Sequence, residues 1–339
     1  MNPAPAATAS APAGYLCGPV KISLVFDDPS LLAALNGLLS QYDAPWSAPP
    51  AEICVTVGAG AAPSAIAKPA GDYLVSYRLH VDRRGTRLIS LSNVGVWMDY
   101  DEAEKKACIL VPDHPDRETV IEEVEQQLVL LLARAWAGQG WTPLHAGSLI
   151  PPDGQRCILV CAHSGVGKTT LISALLGRGW RTLGDDKLLL RNENGSVVAR
   201  ALSRRMHLHP SLANWFPQVG QLEEWPRYSR WTEKRMVRLE AIWPGQALDS
   251  ARPAALVQLA RDENGPGLAV VSLDATAAMH AVLRQIAIPA DSMDAQPLVA
   301  CAAALTGQLR AVRLTIGNNA FAEESNLDRL AVMLEELLP

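Results

Sequence analysis

A glycine-rich segment near the middle of the chain carries the residue types that bind phosphate. An apolar run at residues 158–161 leads into residues 162–170, which read Ala-His-Ser-Gly-Val-Gly-Lys-Thr-Thr. Gly165 and Gly167 let the backbone turn its N–H groups toward phosphate oxygens without a Cβ in the way. A helix that begins near Lys168 would point its positive end at the same oxygens.

The lysine and threonine of this segment predict a nucleotide and a metal ion. Lys168 would contact the β- and γ-phosphates, and the Thr169 hydroxyl would bind Mg²⁺. Ala162 stands where the first glycine of such a loop is usual, and its methyl group is tolerated where φ stays negative. The predicted ligands are ATP and Mg²⁺, held by Ser164, Gly165, Val166, Gly167, Lys168, Thr169 and Thr170.

Two acidic positions could complete the metal site. Asp185 and Asp186 stand side by side just ahead of an apolar strand pattern at residues 188–190. Adjacent carboxylates repel each other and stay ionised only near water or a cation, so the pair indicates either a metal site or a solvated turn. Asp274 is the second candidate, although the Ala-Thr-Ala-Ala that follows it also fits a helix N-cap.

Further candidates are a histidine and a cationic group. His145 lies in an apolar segment before the loop, where a single histidine is commonly a core residue. Residues 203–244 are rich in Trp, Pro and Arg and are predicted to be a substrate-facing insertion. Within them lie Arg204, Arg205, Lys234 and Arg235, which form either a solvated surface or a grip on an acidic substrate or the γ-phosphate.

The elements that must position these residues follow from the hydrophobic pattern. Around the loop, the order strand, loop, helix, strand is typical of a nucleotide-binding βαβ layer. Further along, strands are predicted at 256–259, 270–273 and 312–314, and helices at 275–286 and 327–338. Earlier strands are predicted at 21–26, 53–57, 73–81, 87–91, 94–98 and 107–111, with helices at 29–42 and after an Asp116 cap.

These patterns divide the chain into three parts, and composition excludes several classes of function. We expect a disordered tail at 1–14, a mixed α/β N-terminal domain at 15–140 and a domain with the phosphate loop at 141–339. With 339 residues, 49% hydrophobic, there is ample material for a core. A formal charge of -5 argues against a nucleic-acid binder. No apolar run approaches the ~20 residues that span a membrane, and six scattered cysteines fit a reduced, cytoplasmic protein.

The segments around the loop resemble a known family. Leu144-His145-Ala146, the loop itself and the run at residues 178–186, Arg-Gly-Trp-Arg-Thr-Leu-Gly-Asp-Asp, resemble the catalytic domain of bacterial HPr serine kinase/phosphorylase. They are most similar to the HPr kinase-related proteins of biosynthetic clusters for ribosomally made peptides, including lasso-peptide kinases. Phosphoenolpyruvate carboxykinases belong to the same superfamily. The resemblance covers residues 141–190 and implies an α/β, P-loop catalytic domain of this type behind the smaller N-terminal domain.

The resemblance also implies an activity and residue roles. It implies an ATP- and Mg²⁺-dependent kinase that phosphorylates a serine hydroxyl of a peptide or protein, and that self-associates as such kinases often do. Lys168 and Thr169 would bind nucleotide and metal, and His145 would lie near the transferring phosphate. Asp185 would be the acid/base, with Asp186 supporting the metal or the two roles reversed. Thr170, where an acidic residue often follows, argues against HPr itself as the substrate.

Two other functions fit the same residues. A P-loop NTPase switch would hydrolyse ATP or GTP and use Asp274 to hold Mg²⁺, so its turnover would need no acceptor. A non-catalytic module would bind nucleotide without turnover and recruit a peptide through its N-terminal part.

Overall fold

The computed structural model describes most of the chain as two compact units. The described residues are 13–28, 51–62, 73–74, 79–229, 232–262, 265, 267–286, 292–317, 320–321 and 324–338, with 30, 31, 33, 35 and 39. The first unit lies within residues 1–139 and 288–295, and the second within 140–287 and 296–339. Residues 1–12 of the expected tail lie outside the described residues. Ala13 and Gly14 belong to a strand and are therefore not part of a disordered tail.

The first unit is an eight-stranded mixed sheet that carries one long helix. The sheet order is β1-β2-β3-β8-β7-β6-β5-β4, with β2/β3 and β3/β8 parallel and the other neighbours antiparallel. Alternating buried and open positions, as in β2, give each strand one apolar face. The strands are β1 (Ala13–Cys17), β2 (Val20–Phe26), β3 (Ile53–Ala59), β4 (Tyr73–Leu74), β5 (Leu79–Arg84), β6 (Arg87–Ser92), β7 (Trp97–Asp101) and β8 (Lys106–Val111).

Helix α1 (Arg117–Gly138) follows the last strand of this sheet. Asp116 caps it as predicted, because its Oδ1 accepts a hydrogen bond of 3.1 Å from the amide of Thr119. Trp136 of the helix donates its indole N–H to the carbonyl of Cys17 at 3.0 Å. The predicted helix at 29–42 falls mostly outside the described residues, of which 30, 31, 33, 35 and 39 are helical.

The second unit is built on a mixed sheet of order β10-β11-β16-β13-β12-β9, to which β18 and β17 are added beside β16. Strands β11, β16 and β18 run parallel to one another. Two short strands, β14 and β15, form a separate antiparallel ribbon. The strands are β9 (Thr142–Leu144), β10 (Gly147–Leu149), β11 (Arg156–Cys161), β12 (Leu188–Glu193), β13 (Ser196–Ala201), β14 (Arg205–Leu208), β15 (Arg235–Arg238), β16 (Ser250–Asp262), β17 (Leu268–Ser272) and β18 (Arg310–Gly317).

Helices cover both faces of this second sheet, so the unit is a layered α/β structure. One core joins the sheet to α2 and α6, through residues such as Leu171 and Leu330. The other joins it to α4 and α5, through residues such as Val282 and Leu305. The helices are α2 (Lys168–Leu176), α3 (Leu239–Ile242), α4 (Ala275–Leu283), α5 (Ser292–Thr306) and α6 (Glu324–Glu335).

Most strand and helix predictions hold where the structure describes them, with shifted ends. The strand predicted at 73–81 is wrong, because β4 and β5 are separate strands that pair antiparallel, and the strand predicted at 94–98 begins only at Trp97. All six cysteines are free thiols, and Cys157 and Cys161 are buried in β11 as the apolar pattern predicts. Burial raises the pKa of both thiols to about 12, which makes them unreactive. Within the described residues, no helix has the length and apolar character needed to cross a membrane.

Candidate active site

The glycine-rich loop joins the end of β11 to the start of α2. Gly165 and Gly167 adopt φ values of 83° and 115°, a left-handed region that residues with a Cβ rarely enter. Among described non-glycine residues only Lys105 and Asn194 have positive φ, so Ala162 keeps the negative φ expected of it. Ala162 is buried in the core, which holds the entry to the loop against the sheet.

The first turn of α2 offers backbone donors toward the same space. Gly167 is the N-cap, and no side chain caps this end of the helix. The first helical hydrogen bond runs from the amide of Leu171 to the carbonyl of Gly167 at 2.9 Å. The amides before it in the first turn have no acceptor within the helix, which makes this end a binding place for anions.

A buried hydrogen-bond network fixes the loop that carries the two carboxylates. The amide of Ser148 donates to the carbonyl of Gly184 at 3.0 Å, and the Thr182 hydroxyl donates to the carbonyl of Ser148 at 2.7 Å. The amides of Leu183 and Gly184 donate to the Ser148 and Thr182 hydroxyls at 2.8 and 3.0 Å. This network bonds residues 182–184 to β10, so the backbone that leads into Asp185 and Asp186 is held rigid.

Gly147 allows that loop to lie directly on β10. A Cβ placed on Gly147 would come within 2.8 Å of the Asp185 carbonyl oxygen and would overlap the side chain of Ile172 on α2. Only a residue without a side chain lets β10, α2 and the Asp185 backbone meet here. The close approach brings Asp185 next to the helix that starts at Lys168.

Asp185 is buried beneath the start of α2. Its side chain is 2% exposed, and its Oδ2 accepts a hydrogen bond of 2.8 Å from the Thr169 hydroxyl. Burial raises the pKa of Asp185 to about 6, and the neighbouring charge of Asp186 acts in the same direction. The Thr169 hydrogen bond and Lys168 oppose this rise.

Asp186 contacts the two basic side chains of the site. Its Oδ1 lies 3.1 Å from Lys168 Nζ and 3.4 Å from His145 Nδ1. Although burial opposes ionisation, Lys168 and His145 hold the pKa of Asp186 below its ordinary value. Asp186 is therefore a carboxylate at neutral pH, whereas its neighbour Asp185 ionises less readily.

The histidine links the lysine to the carboxylate. Lys168 Nζ lies 3.2 Å from His145 Nε2. Because an ammonium group can only donate, Nε2 is the acceptor, and the ring proton of the neutral imidazole sits on Nδ1. Desolvation lowers the pKa of His145, with Asp186 acting against it, so this neutral tautomer fits the ring. His145 thus belongs to the site instead of the core.

These groups open into one cavity of about 440 Å³. Asp186, Lys168 and His145 form one part of its lining, and the phosphate loop forms another. A third part comes from the segment that links β14 to β15, a region identified only as an insertion from its composition. The lining residues are His145, His163, Ser164, Gly165, Gly167, Lys168, Thr169, Thr170, Asp186, His207, His209, Leu212, Tyr228 and Lys234.

The wall opposite the phosphate loop contains a buried histidine. The rings of His207 and Tyr228 stack with centroids 3.8 Å apart. His207 is 6% exposed, and no hydrogen-bond partner for its Nε2 is found within the described residues. Burial lowers the pKa of His207 to about 3, and Lys187 acts in the same direction. The ring is therefore neutral at physiological pH.

Sequence reasoning missed His207, His209, Leu212 and Tyr228 as cavity residues. The one available signal was the His-Leu-His pattern at 207–209 inside the unassigned insertion. Nothing in the sequence spacing places the β14–β15 ribbon beside the loop. That placement depends on the packing of Leu208 and Val237 into the core that also contains residues of β11 and α2.

Several predicted site residues lie elsewhere. Arg204 pairs with Asp249, and neither Arg204 nor Arg205 is among the residues that line the cavity. Arg235 donates to the carbonyl of Trp225 at 3.3 Å. Lys234 is the one member of that cationic group in the cavity lining.

Two other predicted ligands contribute no side chain to the cavity lining. Val166 packs against the core. Asp274 caps α4, with its Oδ1 accepting a hydrogen bond of 2.7 Å from the amide of Ala277. The observed cap is the helix role that its sequence context also fits.

The donor set suits a magnesium–nucleotide complex better than a protein-only metal site. Among the described residues, no group of three or more His, Cys, Asp or Glu side chains could hold a metal. Mg²⁺ is commonly bound by one or two carboxylates together with substrate phosphates and water. Thr169 donates its hydroxyl proton to Asp185, which leaves the Thr169 oxygen lone pairs available to a cation. Thr169, Asp185 and Asp186 therefore fit the ion.

Comparison with known proteins gives matches among solved structures alone. No protein-family model matches the chain, and no curated protein matches its sequence. Among solved structures, the chain is similar to the HPr(Ser) kinase/phosphatase from Coxiella burnetii, at 13% identity and a TM-score of 0.32, over 57% of this chain and 98% of that one. A similarity of this size assigns neither a family nor an activity.

Proposed function

We propose that the chain is an ATP- and Mg²⁺-dependent kinase that transfers the γ-phosphate to a hydroxyl group, here a serine of a peptide or protein. The observation that carries the proposal is the position of Asp186. Its carboxylate lines the same cavity as the glycine-rich loop and lies 3.1 Å from the loop lysine. A proton acceptor beside the phosphate-binding groups is what phosphorylation of an alcohol requires.

We assign the two carboxylates in the reverse order, the alternative that the resemblance leaves open. Asp186 is the proposed base: it takes the proton of the acceptor hydroxyl as the new oxygen–phosphorus bond forms and the bond from γ-phosphorus to the β–γ bridging oxygen breaks. Asp185 is buried and bonded to Thr169, so we assign it to the metal side of the site. Mg²⁺, when bound, supplies charge stabilisation for the phosphates.

Lys168 and His145 support this base. Lys168 and the first-turn amides of α2 stabilise charge on the transferred group. His145 holds Lys168 and Asp186 together through its two ring nitrogens, at 3.2 and 3.4 Å. Its role is to position the two charged groups.

The wall of the β14–β15 segment is where the acceptor would be held. His207 and Lys234 line the same cavity as the loop, and Lys234 has no carboxylate partner within the described residues. A neutral imidazole can bond a hydroxyl or amide, and an ammonium can bond a carboxylate. This combination favours an acceptor that carries both kinds of group, as a peptide does.

The test is phosphate transfer from labelled ATP to serine-containing peptides, read by mass spectrometry. Candidate peptides are those encoded beside this gene, together with a random serine peptide library. A mass gain of one phosphate that needs Mg²⁺ and is lost in Lys168→Ala supports the kinase. Hydrolysis of ATP at the same rate with and without every acceptor would instead support an NTPase.

A further inference from the structure

A row of arginines crosses the second sheet at the end away from the phosphate loop. Arg156 begins β11, and Arg252 of β16 is its register partner. Register partners on neighbouring strands point to the same face of a sheet. Arg156 and the loop entry lie at opposite ends of β11, about 17 Å apart at ~3.3 Å per residue. The row is therefore separate from the cavity described above.

Two more arginines extend the row across the next strands. Arg200 of β13 is partnered with Ser250, which lies two residues before Arg252 on β16 and so shares its face. Arg191 of β12 is partnered with Val198, which lies two residues before Arg200. Four neighbouring strands at ~4.8 Å spacing give a row about 14 Å long.

Three of the four arginines of this row lack a carboxylate partner. Arg156, Arg200 and Arg252 form no ion pair with a carboxylate anywhere in the described part of the chain. Arg84 and Arg117, in contrast, pair with Asp82 and Asp28. In a protein of net charge -5, three unpaired guanidinium groups on one face are a local excess of positive charge.

The row lines a concave surface. Arg156, Arg191, Arg200 and Arg252 border a pocket of about 630 Å³, to which Gln155 and Ser250 add polar side chains. The one carboxylate in its lining, Glu193, is bonded to Arg191. Arg191 also lies over the ring of Trp141, 4.4 Å from its centroid, which fixes the end of the row.

We propose that this row binds an extended acidic peptide segment. Guanidinium groups bind carboxylates through paired hydrogen bonds. Alternate side chains of an extended peptide lie on one side at a spacing of ~6.6 Å, so two or three of its carboxylates can meet a row of about 14 Å. Nucleic acid fits less well, because Trp141 is buried under Arg191 and no ring face is left for a base to stack on.

The experiment measures binding of a fluorescein-labelled hexaglutamate peptide by fluorescence anisotropy, with the full chain and without nucleotide. The variant is Arg156→Ala with Arg252→Ala. The matched control is Arg84→Ala with Arg117→Ala, which removes the same charge from exposed arginines of the first unit. Hexaglutamine is the neutral probe, and thermal melting confirms that each variant is folded.

We expect hexaglutamate to bind, hexaglutamine not to bind, and the row variant to lose at least about tenfold in affinity while the control variant loses less than twofold. Equal losses in the two variants, or no binding by the native chain at low salt, would overturn the proposal. So would loss of binding in Lys168→Ala, which would place the peptide on the phosphate loop. Tighter binding of a labelled oligonucleotide through the same arginines would replace the peptide by nucleic acid. Because no ATP is present, none of these outcomes depends on the kinase activity.

Discussion

Thr169 donates its hydroxyl proton to Asp185 at 2.8 Å, so the first turn of α2 and the loop before β12 are joined by one buried hydrogen bond. The two residues belong to different structural elements, and the hydrogen bond joins these elements in one site. It also distinguishes the two neighbouring carboxylates by their contacts. Asp185 faces the threonine beneath the helix, and Asp186 faces Lys168 in the cavity.

The affinity for Mg²⁺-ATP should fall as the pH drops below about 6. Burial raises the pKa of Asp185 to about 6, and a cation must displace the proton that the carboxyl binds below that pH. The limiting loss is about tenfold per pH unit. Titration with a fluorescent ATP analogue between pH 5 and 8 measures it. Asp185→Asn should bind Mg²⁺-ATP more weakly with a flatter pH dependence, and an unchanged slope would contradict the assignment.

Asp186→Asn should abolish most phosphate transfer while ATP still binds. The amide cannot take the hydroxyl proton, which costs about 10²- to 10⁴-fold in kcat. Lys168 keeps its place beside the phosphates, so the Kd for ATP should change little. Asp249→Asn, which removes an exposed carboxylate that pairs with Arg204, is the control. Native kcat in Asp186→Asn would show that the base is another group.

His207→Phe should weaken the use of the acceptor and leave ATP unaffected. Phenylalanine retains the ring that stacks on Tyr228 but lacks the Nε2 atom. We expect the KM for the acceptor peptide to rise about tenfold, the equivalent of one lost hydrogen bond. The KM for ATP in the same assays is the internal control. A parallel rise in both KM values would indicate general damage to the cavity.

The same substitution should change how stability depends on pH. The folded pKa of His207 is about 3, below the ordinary 6.5, so its neutral form is favoured by folding. Its contribution is therefore present above pH 6.5 and is lost as the pH falls toward 3. Between pH 7 and 4, the free energy of unfolding of the native chain, measured with urea, should fall by a few kcal/mol more than that of the His207→Phe variant. Asp185, whose pKa is raised, acts in the opposite sense in both proteins, and the comparison cancels it.

Gly147→Ala should destabilise the second unit and disturb the site. The added methyl group would meet the Asp185 carbonyl and Ile172, at a cost of about 1–3 kcal/mol. Thermal unfolding measures the loss, and a weaker Mg²⁺-dependent affinity for ATP would report the displaced Asp185. Gly138→Ala is the control, because a Cβ there meets nothing within 4 Å and the residue ends a helix. Equal melting temperatures for the two variants would refute the close-approach argument.

The sequence by itself determined what depends on local chemistry. Gly165, Gly167 and Lys168 predict a phosphate loop because the backbone conformation and the helix end are local properties, and the apolar runs around them predict β11 and α2, which the structure contains. The caps at Asp116 and Asp274 were also readable, since each depends on residues within one turn. The adjacent carboxylates were identified as a site, although their roles were not separable.

Only the tertiary structure decided where each side chain lies. Gly147 lets β10 approach so closely that Asp185 is buried, while Asp186 lines the cavity. Likewise, Lys234 and His207 join the cavity while Arg204 pairs with Asp249, because the β14–β15 ribbon folds over the loop. Such contacts join residues distant in sequence. The hydrophobic spacing of one segment does not indicate which other segment packs against it.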